Sequence, residues 1–418
     1  MALLPIGIFL VIFIGTGIIM NDFYSMPAIL GFLIALFVAF LQNKKLSFAE
    51  KFNVVAKGVG DENIVIMYFI FLAAGAFSGT VTAAGGVEST VNLGLSVLPP
   101  GVAVAGLFAI GSFISVSMGT SMGTIAALAP IAVGISEKTG FSMAICIAAV
   151  CCGAMFGDNL SMISDTTIAA VRTQGCQMKD KFKANFFIVL PAAIATLVIF
   201  LIITMNGEFE LSGNLDYNIL KVIPYLVVLI GALIGFNVFI VLITGTVLSA
   251  AVGLGTGAIP IDKIFTSIGE GITGMYDITI ISMTVAAIIA LVKAHGGIQF
   301  ILNLIKSKIH SEKGGQFGIA ALASLVDMAT ANNTIAIVMA GPIAKDISDE
   351  FKISPVRTAS ILDIFTSVFQ GLIPYGAQLL SAAAFTNLSP MKIIPFMFYP
   401  MLMAVSAIFF MAFRKPRV

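Results

Sequence analysis

The sequence contains no tryptophan, two histidines and four cysteines, and only 10% of its 418 residues are charged. Each scarcity excludes something. With 59% hydrophobic residues and a mean hydropathy of +1.06, a soluble globular domain is ruled out. Cys146, Cys151 and Cys152 lie in apolar sequence and Cys176 in a basic loop, so no disulfide framework or metal-ligand spacing is present and small packing residues are the reading. Without tryptophan, any aromatic belt must come from phenylalanine and tyrosine. The absence of a phosphate-binding loop argues against ATP-driven pumping, and no enzyme activity or cofactor is expected. A net charge of +1 gives no reason to expect a nucleic-acid partner; the partner is the lipid bilayer. The first residues lack a basic region and a small-residue cleavage site, so they read as a first span rather than a removed signal.

What is present is apolar sequence from end to end, which predicts an all-α polytopic membrane protein of about ten transmembrane helices plus two re-entrant hairpins. Spans at 3–20 and 26–42 are joined by the turn NDFYS. A basic amphipathic connector, 43–63, leads to a third span from 64 to about 83, and Ala83-Ala84-Gly85-Gly86 opens a short segment to 98. Residues 101–136 hold two apolar runs around Gly119-Thr120-Ser121-Met122-Gly123-Thr124. The second run, from Thr124, rises only about 20 Å as a helix against a ~30 Å hydrocarbon core, which predicts a re-entrant hairpin. Residues 141–171 are too long for one ordinary span and are interrupted at Gly157-Asp158-Asn159-Leu160-Ser161, predicting a broken helix. A basic loop with Arg172, Lys179, Lys181 and Lys183 precedes a span at 185–204.

After the acidic loop NGEFELSGNLDY the pattern begins again. His295-Gly296-Gly297 with Asn303-Leu304 matches Ala84-Gly85-Gly86 with Asn92-Leu93 at an offset of 211. Pro342-Ile343-Ala344 repeats Pro130-Ile131-Ala132 at 212, and Ala331-Asn332-Asn333-Thr334 aligns with Ser121-Met122-Gly123-Thr124 at 210. A hairpin at 315–349, a broken helix at 355–384 with its break at Gly371–Gly376, and a last span at 393–412 complete the second copy. Such a nearly constant offset indicates duplication, with repeats at 1–205 and 206–418, each of three scaffold spans, a hairpin, a broken helix and a span. An odd number of crossings per repeat makes the two copies inverted. With the loops at 43–63, 172–183 and 293–313 and the tail Arg414–Arg417 inside, the topology puts about 18 of the 22 Lys and Arg on the cytoplasmic side, all but Lys138, Lys221, Lys263 and Lys392, with both termini cytoplasmic. The chain is expected in the cell (inner) membrane, with a homodimer left open.

Inverted repeats with broken helices meeting near the midplane are an arrangement of secondary transporters. The two hairpin tips and the two breaks should converge. Asp158 and Asp165 are the leading candidates for Na⁺ or H⁺, because an intramembrane acid is costly unless it has a role, and in an unbroken helix they would share one face. Asn159, Ser161, Ser164 and Thr166 supply oxygen ligands beside them; Thr120, Ser121 and Thr124 on one tip and Asn332, Asn333 and Thr334 on the other supply more. Local capping is the alternative reading for Asp165 and for the asparagines. Tyr375, Gln370 and Gln378 face the cavity or bond between helices. Asp327 and Asp363 are candidate coupling acids, one of them pairing with Arg357 or a capping amide.

The run Gly119–Thr124 together with Phe156-Gly157-Asp158-Asn159-Leu160-Ser161-Met162-Ile163-Ser164-Asp165-Thr166-Thr167 resembles the signature of the NhaC-type Na⁺/H⁺ antiporter family. The resemblance implies a scaffold domain from the first three spans of each half, a transport domain of hairpins and broken helices moving against it, and a cation site drawing on the loop of Asp158 and Asp165. The sequence departs from the family at Met122, where the family commonly has Trp, and at Met162, where it often has Pro.

The expected function is therefore a secondary active transporter exchanging Na⁺ for H⁺ by alternating access. The alternative is Na⁺- or H⁺-coupled transport of a small organic solute such as an amino acid or carboxylate. An intramembrane aspartyl protease is disfavoured because Met155 stands where its motif needs glycine and the two motifs, Tyr276-Asp277 and Gly157-Asp158, come in the wrong order. A passive channel has no need of paired inverted hairpins.

Overall fold

The structure, a computed structural model, describes residues 2–20, 26–97, 99–162, 164–205, 214–297, 299–300, 303 and 311–413. The turn NDFYS, most of the acidic loop, Leu304 and the tail Arg414–Arg417 lie outside the described residues. All regular structure among the described residues is helical.

The first half runs α1 (Leu4–Ile19), α2 (Ala28–Leu41), α3 (Phe48–Val59), α4 (Glu62–Ala83), α5 (Gly86–Val97), α6 (Pro100–Met118), α7 (Ser121–Thr139), α8 (Met143–Leu160), α9 (Asp165–Gln174) and α10 (Met178–Met205). The second runs α11 (Ile219–Leu233), α12 (Val238–Gly255), α13 (Ile264–Thr273), α14 (Tyr276–Ala294), α15 (Glu312–Thr330), α16 (Asn333–Glu350), α17 (Pro355–Gln370), α18 (Ala377–Thr386), α19 (Pro390–Ile393) and α20 (Phe398–Phe413). By length and composition, five helical stretches among the described residues are long and apolar enough to cross a bilayer, or six if the pair around the 51° bend at residue 397 counts as one span. Five shorter apolar stretches, among them Ile29–Leu41 and Thr279–Ala294, fall below that length.

The connector α3 begins with a capping box: the Ser47 hydroxyl accepts from Glu50 N at 3.3 Å, and the Glu50 carboxylate accepts from Ser47 N at 2.7 Å. That backbone N–H holds the Glu50 carboxyl below its usual range. Lys51 is buried and donates to the carbonyls of Phe40 and Gln42 at 2.8 and 2.7 Å, so a basic connector residue ties α3 to the last turn of α2.

The break in the first long helix falls at 161–164 rather than at 157–161. Gly157 is helical because its missing side chain serves packing: a Cβ there would lie 2.6 Å from Ser115 Cβ and 2.7 Å from Val116 N on α6. Gly153, one turn earlier, meets the Phe108 carbonyl in the same way, so α8 lies on α6 through a Gly-x-x-x-Gly face. The span expected from 185 starts seven residues earlier, at Met178, and draws Lys181 out of the expected loop into the helix interior.

The tip alignment also shifts. Helices α6 and α15 begin and end 212 residues apart, as do α9 and α18. Gly119 and Ala331 both adopt left-handed backbone, at φ 69° and 47°, and the following N-caps Thr120 and Asn332 have φ/ψ of −151°/122° and −150°/110°. Ser136 Oγ donates to Phe141 O at 2.7 Å and Ser348 Oγ to Ile353 O at 2.6 Å, again 212 apart. Ser121 is therefore the counterpart of Asn333, not of Ala331. The second arm of each hairpin is longer than its apolar run: α7 has 19 residues and α16 has 18.

Candidate functional site

Asp158 sits in the last turn of α8, where three segments meet. Ser121, at the start of α7, donates to Asp158 Oδ2 at 3.0 Å, and Ser164, just before α9, donates to Oδ1 at 2.7 Å. Ser164 occupies the N-cap position of α9 but makes no side-chain cap, because its hydroxyl is turned to the carboxylate. Each serine is fed in turn: Gln378 Nε2 donates to Ser121 Oγ at 3.0 Å, and the Thr166 hydroxyl lies 2.9 Å from Ser164 Oγ. Thr166 and Gln378 are 212 positions apart, so corresponding positions on α9 and α18, one from each half, flank the same carboxylate. Ser121 and Ser164 are buried and Asp158 is partly open.

The next residue anchors a second polar layer. Asn159 donates through Nδ2 to Ser367 Oγ at 2.9 Å and accepts from Tyr399 OH at 3.1 Å. Its carbonyl accepts from Asn185 Nδ2 at 3.3 Å and Lys181 Nζ at 3.5 Å. Lys181 Nζ lies 2.5 Å from Asp363 Oδ2 and 2.8 Å from Thr167 Oγ1, and Asn185 Nδ2 donates to the same Asp363 oxygen at 2.9 Å. Asp363 thus pairs with Lys181, whereas Arg357 donates through Nε to Gln316 at 3.2 Å. A buried acid with a paired ammonium adds no net charge beside Asp158.

The remaining expected residues divide. Ser161 donates to Val116 O at 2.8 Å, fastening the break to α6. Thr120 caps α7, accepting from Gly123 N at 3.4 Å, and Thr124 is buried with its hydroxyl on Thr120 O at 2.9 Å. Asp165 is exposed in the first turn of α9, where a negative charge suits the helix N-terminus. It is not joined to Asp158, because the break at 161–164 ends the helical register that would have stacked them. At the second tip Asn332 caps α16, accepting from Ile335 N at 3.0 Å, and Asn333 Oδ1 accepts from Thr334 N at 3.1 Å; all three tip residues are half-buried. Gln370, the counterpart of Asp158, donates to Ala331 O at 3.2 Å. Tyr375 OH donates to Met328 O at 2.7 Å, so it pins the second break to α15.

Between α4, α14, the second tip and α18 lies a cavity of about 30 Å³, lined on its polar side by Ser282, Thr330, Asn332 and Tyr375, with room for one or two waters. Among the described residues no three acidic, histidine or cysteine side chains cluster, so the donors around Asp158 are one carboxylate and neutral oxygens. Lys181, Asn185, Ser367 and Tyr399 were not legible as site residues. The available signal was Lys181 and Asn185 four apart on one helix face next to apolar sequence.

A family model described as the Na⁺/H⁺ antiporter family matches residues 1–205 and 217–415. The chain is 22% identical to a malate-2H⁺/Na⁺-lactate antiporter of Bacillus subtilis, over 94% of this chain and 91% of the relative. It is 22% identical to the Na⁺/H⁺ antiporter NhaC of Alkalihalophilus pseudofirmus, over 82% and 80%. It is also 22% identical to the arginine/ornithine antiporter ArcD of Halobacterium salinarum, over 83% and 77%.

Proposed function

The chain belongs to the Na⁺/H⁺ antiporter family, and on that premise we propose that it exchanges Na⁺ for H⁺ at Asp158. The observation that carries this reading is the carboxylate of Asp158 held by two serine hydroxyls, from Ser121 and Ser164, with no basic side chain bonded to it among the described residues. A hydroxyl that donates to a carboxylate also carries two lone pairs. When Na⁺ enters, Ser121 and Ser164 rotate to offer oxygens, and Asp158 supplies the one negative charge. When H⁺ takes the carboxylate, Na⁺ has no counter-charge and leaves. Mutual exclusion on one acid is the coupling, and the neighbouring Asp363 stays out of the count because Lys181 neutralises it.

Alternating access requires a moving part. In this reading 1–205 and 206–418 are inverted repeats of about ten spans and two hairpins, and the hairpins and broken helices move against α1–α4 and α11–α14. The 212-residue spacing of helix ends supports this division. The protein lies in the cell (inner) membrane with both termini cytoplasmic. A second reading, co-transport or exchange of a small organic solute, rests on the relatives named for malate/lactate and arginine/ornithine exchange; there Asn333 and Thr334 would face the solute.

Proteoliposomes with a trapped pH indicator test the main reading. An imposed Na⁺ gradient should move protons through the wild type and not through Asp158→Asn. A proton flux driven by malate, lactate, arginine or ornithine, and not by Na⁺, would select the second reading.

A further inference from the structure

Among the described residues two acids, Asp327 and Asp363, are fully buried in the helical core and a third, Asp158, is partly open; each is treated differently. Asp158 receives two serine hydroxyls, and Asp363 receives Lys181 and Asn185. Asp327, on α15 one turn before the second tip, is 0% exposed, and neither of its carboxylate oxygens has a hydrogen-bond partner among the described residues. An unpaired ionised carboxylate in such surroundings is strongly disfavoured. A bound proton removes that cost.

We propose that Asp327 is a second, proton-carrying site, separate from the cation site at Asp158. The proposal rests on the reading of the chain as a Na⁺/H⁺ exchanger. Packing does not require an acid here. The counterpart position in the first hairpin, 212 residues earlier, is Ser115, whose hydroxyl bonds to Ala154 O at 2.5 Å and fills the same place as a neutral group.

A route for the proton exists one turn away. The Thr330 hydroxyl lies 3.2 Å from Asn332 O and lines the cavity with Asn332, Ser282 and Tyr375. Ser282 Oγ and Gln370 Oε1 are likewise buried without hydrogen-bond partners among the described residues. Moving the tip would admit the cavity water to Asp327; the O–H bond breaks, the proton passes to that water, and the carboxylate remains until a proton returns from the other side.

Among the described residues no ionisable group on the packed elements bonds Asp327. Tyr375 spends its hydroxyl on Met328 O at 2.7 Å. On α17 Asp363 is held by Lys181 and Arg357 donates to Gln316 near the other end of α15, and Tyr399 on α20 bonds Asn159. Tyr276, Asp277 and Lys293 stand at the ends of α14. Lys345, Asp346, Asp349 and Glu350 lie at the far end of α16, about 18 Å or more along the helix from the tip.

One Na⁺ site and two proton-carrying acids make exchange electrogenic, at about two protons per Na⁺. Asp327→Asn, which mimics the neutral acid, and Asp327→Ser, which copies position 115, should both fold. In proteoliposomes both should keep radiolabelled Na⁺/Na⁺ exchange, lose the response of Na⁺/H⁺ exchange to an imposed membrane potential, and fall to about one proton per Na⁺. Wild-type stoichiometry and voltage response in both variants would overturn the proposal, as would loss of Na⁺/Na⁺ exchange in both folded variants, which would make Asp327 part of the cation site. Failure of the Asp158 reading looks different: Asp158→Asn would then retain Na⁺/Na⁺ exchange.

Discussion

Lys181 Nζ lies 2.5 Å from Asp363 Oδ2 across 182 positions of sequence, with the two side chains 1% and 0% exposed. Both ions have left water, so each depends on the other and on the amide of Asn185 and the hydroxyl of Thr167.

Removing one partner should be far worse than removing both. Lys181→Met should cost about 3–5 kcal/mol, because Asp363 is left charged and buried, while Lys181→Met with Asp363→Leu should recover most of that loss. Unfolding of the purified protein in detergent, followed as a double-mutant cycle, reads the difference. A double variant no more stable than the single one would show that the pair is not a self-contained unit.

The two tips carry opposite residue choices for one backbone shape. Gly119 adopts φ 69° without penalty, while Ala331 holds φ 47° against the crowding of its Cβ. Ala331→Gly should therefore stabilise by up to about 1 kcal/mol, and Gly119→Ala should destabilise by about 1–2 kcal/mol. Thermal unfolding of the two variants should give shifts of opposite sign; a loss of stability in Ala331→Gly would mean that the alanine methyl supplies packing that outweighs the strain.

Local sequence carried much of the architecture. Apolar length marked most helices, and Gly119, Thr120 and the Ala331–Asn332 pair marked both tips, because left-handed turns and N-caps are set by a few neighbouring residues. What depended on distant partners did not show. Lys181 read as a loop cation because nothing near it in sequence reveals Asp363. Gly157 read as a helix break because a glycine demanded by close packing against α6 has the same composition as one demanded by a turn. Asp165 read as sharing a face with Asp158 because the seven-residue spacing presumes an unbroken helix, whereas α8 ends at Leu160, α9 starts at Asp165 and Ser164 spends its hydroxyl on Asp158. Matching residue types also set the tips two positions out of register, since Thr120 and Asn332 do the same capping with different side chains.

The central claim is that Na⁺ and H⁺ compete for the carboxylate of Asp158, and equilibrium binding of radiolabelled Na⁺ to the purified protein across a pH series tests it most directly. The account predicts saturable binding to the wild type that weakens as pH falls, and its loss in Asp158→Asn while Ser121→Ala and Ser164→Ala bind with reduced affinity. Undiminished Na⁺ binding by Asp158→Asn, or wild-type binding indifferent to pH, would contradict it.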